Sequence, residues 1–198
     1  MKLKDKQLIA ENIVIISGPS GAGEDTIISE LNKQIKLEKI ITTTTREKRV
    51  GEKNAKDYYF ISDKEFKENI KKGVFVEYAC EYNDNYYGVS EKELLRVANS
   101  KKLGIWKIEY KGVMTAKKLF PHIKAILVKA PLSELEKRLK NRDKNNQKHI
   151  KERMSYTKEW LKHQEIYDFK VINKNGCLSK ATTKILNYLK KIKKSIDK

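Results

Sequence analysis

The stretch IVIISGPSGAG, residues 13–23, decides the fold. Its first four residues are apolar and β-branched without a break, which predicts a strand buried on both faces, as in a parallel sheet. Residues 26–31 follow with helical character, and Gly18 and Gly23 lie between strand and helix. Two glycines at the spacing G-x-x-x-x-G in this context are typical of a P-loop, whose backbone N–H groups and helix N-terminus hold phosphate oxygens. The sequence therefore predicts a nucleotide-phosphate site at residues 18–23.

Strands and helices alternate through most of the remaining chain. Further strands are predicted at residues 103–108, 123–128 and 169–172, with helical stretches between them. This alternation predicts an α/β protein, a three-layer P-loop fold with a mostly parallel central sheet. Residues 42–89 break the rhythm with short strands, which indicates an inserted small lobe.

Capping residues and helical spacing predict where several helices lie. Asp63, Ser90 and Ser133 are each expected to cap a helix N-terminus. A long helix is predicted at residues 150–165, after a polar loop at 141–148. Residues 180–198 show apolar side chains at helical spacing, with lysines on the other faces.

Composition limits the class of protein. The 198 residues carry a formal net charge of +18, and the lysines are spread along the chain, which favours solvated basic faces and attraction of anions. Cys80 and Cys177 lie far apart, which argues against a disulfide framework or a zinc site and fits a reducing cytosol. No apolar run approaches the ~20 residues of a spanning helix. We expect a cytoplasmic protein without a membrane or a specific nucleic-acid partner.

The loop resembles that of guanylate kinases, which carry G-P-S-G-A-G-K followed by small hydroxyl or glycine residues. Here Glu24 stands at the position of the phosphate-gripping lysine, Asp25 follows it, and Thr26 offers a hydroxyl one place later. By this resemblance, eight residues would contact the ATP phosphates: Gly18, Ser20, Gly21, Ala22, Gly23, Glu24, Asp25 and Thr26. Mg²⁺ would enter with ATP, with Asp25 and Thr26 as its protein ligands.

The resemblance continues in residues 44–52 (TTREKRVGE) and 57–60 (DYYF), which are similar to the family's GMP-phosphate segment. It implies that Arg46, Arg49, Tyr58 and Tyr87 hold the GMP phosphate. It also implies that Glu77 accepts hydrogens of guanine, with Thr42 beside it. Planar guanidinium groups grip phosphate bidentately, so two arginines are chemically apt.

A third segment resembles the family's lid. Arg138, Arg142 and Arg153 match its R-L-x-x-R and I-x-x-R patterns and would neutralise charge on the transferring phosphoryl group. Asn173 matches a position near the adenine of ATP. The implied organisation is one domain over residues 1–198, with a core at 10–40, 100–135 and 156–198, a GMP-binding lobe at 41–95 and a lid at 136–155.

A second departure lies in residues 105–112 (IWKIEYKG), where the family has D-I-D-x-Q-G. Lys107 replaces the first aspartate, and Glu109 keeps a carboxylate at the second, on the GMP side of the site. A lysine has thus become an acid at position 24, and an acid has become a lysine at position 107. We hypothesise that the charges are exchanged across the site, so that Lys107 is the catalytic cation.

Three functions remain open at this point. The first is ATP-dependent phosphorylation of GMP or dGMP by a monomer or homodimer. The second is a catalytically inactive guanylate-kinase-like module that binds a nucleotide or a protein, which the altered loop favours. The third, suggested by the charge of +18, is nucleic-acid binding, but the sequence lacks a recognisable motif for it.

Overall fold

The computed structural model describes residues 1–80, 84–142 and 146–192. The centre of the predicted polar loop and the last six residues of the predicted tail helix lie outside them. In chain order the elements are α1 (Leu3–Asn12), β1 (Ile13–Ser17), α2 (Glu24–Asn32), β2 (Leu37–Lys39), β3 (Thr43–Thr44), β4 (Tyr59–Phe60), α3 (Asp63–Lys71), β5 (Phe75–Cys80), β6 (Tyr86–Ser90), α4 (Glu91–Ala98), β7 (Leu103–Trp106), α5 (Tyr110–Leu119), β8 (Lys124–Lys129), α6 (Leu132–Arg142), α7 (Gln147–Lys162), a short 3₁₀ turn (Gln164–Ile166), β9 (Phe169–Ile172) and α8 (Leu178–Ile192).

The central sheet has five strands in the order β2-β7-β1-β8-β9. β1 pairs parallel with β8, with Ile15 opposite Ala125, and β8 pairs parallel with β9, with Ile126 opposite Phe169. Every residue of β1 is buried, as expected for a strand covered on both faces. The predicted α/β class with a mostly parallel sheet is confirmed.

A second sheet forms from the short strands between residues 43 and 90, in the order β4-β3-β6-β5. β6 pairs antiparallel with both of its neighbours, so that Tyr87 lies opposite Thr44 on β3 and Ala79 on β5. Phe66 and Phe75 pack closely on Gly88 of β6, where a Cβ would lie 3.0 Å and 3.1 Å from their rings. These strands thus build a compact sheet of their own.

The chain divides into two compact units. The first comprises Met1–Ile13, Glu38–Trp106 and Met114–Ile123. The second comprises Val14–Leu37, Lys107–Val113 and the chain from Lys124 onward. We refer to them below as the first unit and the second unit. Across the described parts of the chain, no helix has both the length and the hydropathy that a transmembrane helix requires.

Several element boundaries differ from the sequence-based expectations. Ser62, not Asp63, caps α3, because its side chain accepts the N–H of Glu65. Ser133 is not the cap of α6, since the N–H of Leu135 already bonds to the carbonyl of Pro131 within the first turn. The predicted cap by Ser90 is confirmed by its bond from the N–H of Glu93, at 3.2 Å.

Two elements differ more. Helix α1, Leu3–Asn12, was not predicted, because its polar sequence offers only Ile9 and Ala10 to the core. Strand β7 ends at Trp106, two residues before the predicted end, so that Lys107 and Ile108 belong to the connection before α5. That connection carries part of the candidate site.

Candidate active site

The loop between β1 and α2 turns tightly and depends on two of its glycines. A Cβ on Gly18 would lie 2.3 Å from the carbonyl oxygen of Val128 in β8. Gly23 is the N-cap of α2 with φ at 93°, and a Cβ there would lie 2.6 Å from Nδ2 of Asn173. At Gly18 a backbone carbonyl thus leaves no room for a side chain, and at Gly23 non-glycine residues rarely adopt the observed φ.

Side chains from elsewhere in the second unit hold this loop. Arg138 on α6 donates to the carbonyl of Gly21 at 3.0 Å and to that of Asn173 at 2.9 Å. The buried amide of Asn173 donates to the carbonyl of Ala22 at 2.8 Å. Because carbonyl groups of the loop are bound from outside, the loop conformation is set before any ligand arrives.

Arg153 on α7 is the second predicted lid arginine that contacts the loop. Its Nη1 donates to Oγ of Ser20 at 3.0 Å, and its Nε to Nε2 of His149 at 3.3 Å. The third, Arg142, ends α6 and is exposed. The structure thus brings Arg138 and Arg153 into contact with the loop and leaves Arg142 at the surface of the same unit.

Glu24, at the position of the family's lysine, turns its side chain back into the loop. Its carboxyl carbon lies 3.2 Å from the position that a Cβ of Gly18 would take. The backbone N–H groups of Glu24 and Gly23 lie near the carboxylate and act to lower its pKa. Burial raises the pKa of Glu24 to about 7, while the positive charge of Lys107 opposes that rise. The residue keeps partial solvent exposure and lines the cavity beside the loop.

Lys107 reaches the start of the same helix. Its Nζ lies 2.7 Å and 2.8 Å from the two carboxylate oxygens of Asp25. The Lys107 side chain is one-quarter exposed, whereas that of Asp25 is mostly exposed. The predicted proximity of positions 24–25 and 107 therefore holds within the second unit, and the lysine pairs with Asp25.

A cavity of about 390 Å³ opens beside the loop. Its oxygen-bearing residues include Asp25 and Thr26, a carboxylate and a hydroxyl of the kind that Mg²⁺ prefers in combination with phosphate oxygens. No group of three or more His, Cys, Asp or Glu side chains suited to a metal ion occurs within 1–80, 84–142 and 146–192. The lining consists of Gly21, Gly23, Glu24, Asp25, Thr26, Arg138, Arg142, Asn173, Lys174, Asn175, Gly176 and Leu178.

Glu109 lies in the connection before α5 and accepts a short hydrogen bond from the hydroxyl of Tyr156. Tyr156 is one turn beyond Arg153 on α7, and its ring packs against Tyr110 and Trp160. Sequence reasoning missed Tyr156, because the two bonded residues are 47 positions apart. The one sequence feature that could have indicated Tyr156 is its position one helical turn after Arg153, a predicted site residue.

In the first unit the predicted phosphate-binding residues form an aromatic and basic cluster. The Arg46 guanidinium lies 5.4 Å from the centre of the Tyr58 ring, and that ring meets Tyr87 edge-on at 6.1 Å. Arg46 also donates to both carboxylate oxygens of Glu52, at 2.7 Å and 2.9 Å. Both bonds come from Nη2, while Nη1 donates to the carbonyl of Glu47 at 2.6 Å, so the guanidinium is held in place by this segment.

The other predicted GMP residues lie in the same unit. The backbone N–H of Arg49 donates to Glu52 at 2.8 Å, while its side chain is exposed. Glu77 is buried on β5, with 6% of its surface exposed. Thr42 precedes β3, and its carbonyl accepts the N–H of Tyr59 at 2.9 Å. Glu52 was part of the recognised segment but was not predicted to bind Arg46.

A buried hydroxyl network supports the strand that leads into the loop. Ser17 donates to the carbonyl of Ile108 at 2.6 Å and shares a hydrogen bond with the hydroxyl of Tyr167 at 3.0 Å. Nε1 of Trp160 donates to the same Tyr167 hydroxyl at 2.9 Å. Burial raises the pKa of the Tyr167 phenol. One hydroxyl thus connects β1 to α7.

Replacing Tyr167 with phenylalanine is expected to lower the free energy of unfolding by about 1–3 kcal/mol, because the buried indole N–H of Trp160 loses its acceptor. Urea denaturation followed by circular dichroism measures the change. The control is Tyr188→Phe, which removes a phenolic hydroxyl from a ring stacked on Phe169 in the same unit. Equal stability of Tyr167→Phe and the parent protein would contradict a structural role for this network.

Comparison with known proteins assigns the family. The family model described as guanylate kinase matches residues 10–192, and the chain belongs to this family. The guanylate kinase of Malacoplasma penetrans is 39% identical over 166 residues, which cover 81% of this chain and 84% of that protein. The guanylate kinase of Rickettsia prowazekii is 38% identical over 175 residues, which cover 87% and 86%.

A solved structure agrees with this assignment. The crystal structure of guanylate kinase from Anaplasma phagocytophilum matches with a TM-score of 0.71 and 26% sequence identity. The match covers 91% of this chain and 86% of that one. The family resemblance inferred from the loop, the 44–60 segment and the lid arginines is confirmed.

Proposed function

We propose that this protein transfers the terminal phosphoryl group of ATP to GMP or dGMP. The observation that carries the proposal is the position of the Lys107 ammonium group beside the first turn of α2. The P-loop that precedes this helix lacks the lysine of the family pattern. Relatives named guanylate kinase match most of the chain and supply the acceptor class. Lys107 thus places near the loop the positive charge that the substitution at position 24 removes.

On the acceptor side, we assign the GMP phosphate to the cluster of Arg46, Arg49, Tyr58 and Tyr87. Glu52 holds Nη2 of Arg46 with both carboxylate oxygens and the Glu47 carbonyl holds Nη1, which orients the guanidinium in the cluster. The buried carboxylate of Glu77 accepts the donor hydrogens of guanine, with Thr42 beside it. A further GMP contact is assigned to Glu109, whose carboxylate is oriented by Tyr156.

On the donor side, the backbone N–H groups of the loop, Lys107 and three arginines bind and neutralise the phosphates of ATP. We assign residues 136–155 to a lid that carries Arg138, Arg142 and Arg153, and Asn173 to the adenine side. Asp25 and Thr26 would hold Mg²⁺, which when bound neutralises charge on the phosphate oxygens. The GMP phosphate is already an anionic nucleophile, so the protein supplies position and positive charge instead of a general base.

One observation favours an inactive, nucleotide- or protein-binding module instead. The carboxyl group of Glu24 turns back toward Gly18 of the loop, and Lys107 is engaged by Asp25. A module of this kind would bind GMP in the first unit and transfer nothing.

Release of ADP from MgATP in the presence of GMP, dGMP, AMP, UMP or CMP separates the two functions. We expect turnover with GMP and dGMP alone. Calorimetric binding of GMP without turnover of any acceptor would favour the inactive module, and equal turnover of AMP would contradict the role assigned to Glu77.

Substitution of Glu77 by glutamine is expected to raise KM for GMP about a hundredfold, because hydrogen bonds to a buried charged acceptor contribute roughly 1.5–3 kcal/mol each. Steady-state kinetics with GMP as the varied substrate measures this change. Glu68→Gln, at an exposed position of α3, is the matched control and should behave as the parent does. An unchanged KM in Glu77→Gln would remove Glu77 from the acceptor site.

A further inference from the structure

The side chain of Glu24 turns back into the loop of residues 18–23. We call the space inside this loop the hollow and infer that the carboxylate occupies it. At one end of the loop, the Glu24 carboxyl carbon is 3.2 Å from the Cβ position of Gly18. At the other end, the backbone N–H groups of Gly23 and Glu24 lie near the same carboxylate and favour its charged form. The carboxylate therefore lies between the two glycines that define the P-loop pattern.

A carboxylate in this place is chemically equivalent to part of a phosphate. An ionised carboxylate and a phosphate are both anions with several oxygen acceptors, and both suit backbone N–H groups at a helix N-terminus, where the helix dipole favours negative charge. The N–H groups at the helix start, which bind phosphate in a P-loop, here have the carboxylate of Glu24 close to them.

In the same structure, the neighbouring cationic side chains are bound by acceptors of the protein itself. Lys107 contacts both carboxylate oxygens of Asp25, and Arg138 is bound by the carbonyls of Gly21 and Asn173. The loop and its surroundings thus form an arrangement in which an internal anion takes the place of an external one.

We propose that the Glu24 side chain is an internal occupant of the P-loop, which a donor nucleotide displaces when it binds. Glu24 is then a specificity-determining residue, because it sets how tightly a phosphate must bind to enter the loop. This inference rests on the proposed function in one respect, namely that the loop's ligand is a nucleotide. It concerns binding alone and applies equally to an active and an inactive protein.

Calorimetric titration with ADP in buffer containing EDTA tests the proposal without turnover. Glu24→Asp keeps the charge but shortens the side chain by one methylene, so that its carboxylate no longer reaches the hollow. We expect this variant and Glu24→Ala to bind ADP about tenfold more tightly than the parent, since both relieve the competition. Glu30→Gln, on the same helix and paired with Lys33, is the charge-matched control and should leave affinity unchanged.

Each other outcome overturns the proposal. If Glu24→Ala binds more tightly but Glu24→Asp matches the parent, nearby charge and not occupancy controls affinity. Equal ADP affinity in the parent and both Glu24 variants would show that nothing is displaced, and the proposed function would stand. Absence of ADP binding by every protein would remove the donor half of the proposed function as well.

Amide NMR of the nucleotide-free protein provides a second readout. If the Glu24 carboxylate occupies the loop in solution, the Gly23 amide proton of the parent donates to it and should resonate downfield. Glu24→Ala is expected to shift it upfield, and Glu30→Gln is expected to leave it in place. An unmoved Gly23 resonance in Glu24→Ala would contradict occupancy of the hollow.

Discussion

Replacement of Lys107 by alanine is expected to lower kcat/KM for ATP about a thousandfold. Lys107 lies in the second unit with its ammonium 2.7 Å and 2.8 Å from the Asp25 carboxylate at the start of α2. A unit charge at ~4 Å contributes about 4 kcal/mol near a protein surface, which corresponds to roughly a thousandfold. Its loss leaves Glu24 and Asp25 without the lysine that offsets them, so the phosphates of ATP meet a negative loop.

Steady-state kinetics with ATP as the varied substrate measures this effect. Lys124→Ala is the control, because Lys124 also pairs with an aspartate of the second unit, Asp168 at 3.5 Å, at the other end of β8 from the loop. A loss of less than threefold in Lys107→Ala would show that this lysine does not serve the donor phosphates.

The exchange of charges is tested by reversal. The double variant Glu24→Lys with Lys107→Asp restores the charges of the family pattern at both positions. If the two positions compensate each other, the double variant should retain more activity than either single variant. Singles that are no more impaired than the double would refute the exchange.

Replacement of Arg142 by alanine is expected to lower kcat about a thousandfold and to change KM for ATP less than threefold. Arg142 ends α6, is exposed and lines the cavity beside the loop. Arginines that meet the transferring phosphoryl group act mainly in the transition state, and contributions of 10³–10⁵ are typical. Arg138 differs, because its bonds to the carbonyls of Gly21 and Asn173 give it a structural part in the loop.

The control for Arg142→Ala is Lys140→Ala, which removes a positive charge from the same helix where it pairs with Glu136. Single-turnover and steady-state rates together separate the chemical step from product release. Parallel loss of kcat in both variants would indicate a general effect of charge on α6, and an unchanged kcat in Arg142→Ala would exclude it from catalysis.

The elements that depend on local pattern were predictable from the sequence. The continuous apolar runs of β1 and β8 specify strands covered on both faces, and the strand–loop–helix order of residues 13–31 specifies the P-loop layout. The helix that starts at Asp63 was also predicted, but its cap was not, because Ser62 and Asp63 are neighbouring residues that both favour N-caps.

The arrangement of the candidate site depends on contacts between distant residues, which no local pattern encodes. Lys107 and Asp25 are 82 positions apart, and their pairing depends on the connection after β7 meeting the start of α2. The direction of the Glu24 side chain depends on the space left inside the loop. The substitution at position 24 was visible in the sequence, but its occupation of the hollow became apparent from the structure.

Formation of GDP from ATP and GMP tests the central claim most directly. The full chain and Lys107→Ala are purified identically, and GDP is quantified chromatographically over time with Mg²⁺ present, so that a kinase from the expression host would give equal rates in both. We predict steady GDP formation by the parent and about a thousandfold less by the variant. Equal rates in the two preparations, or no GDP in either, would contradict the claim that this chain is a guanylate kinase with a relocated lysine.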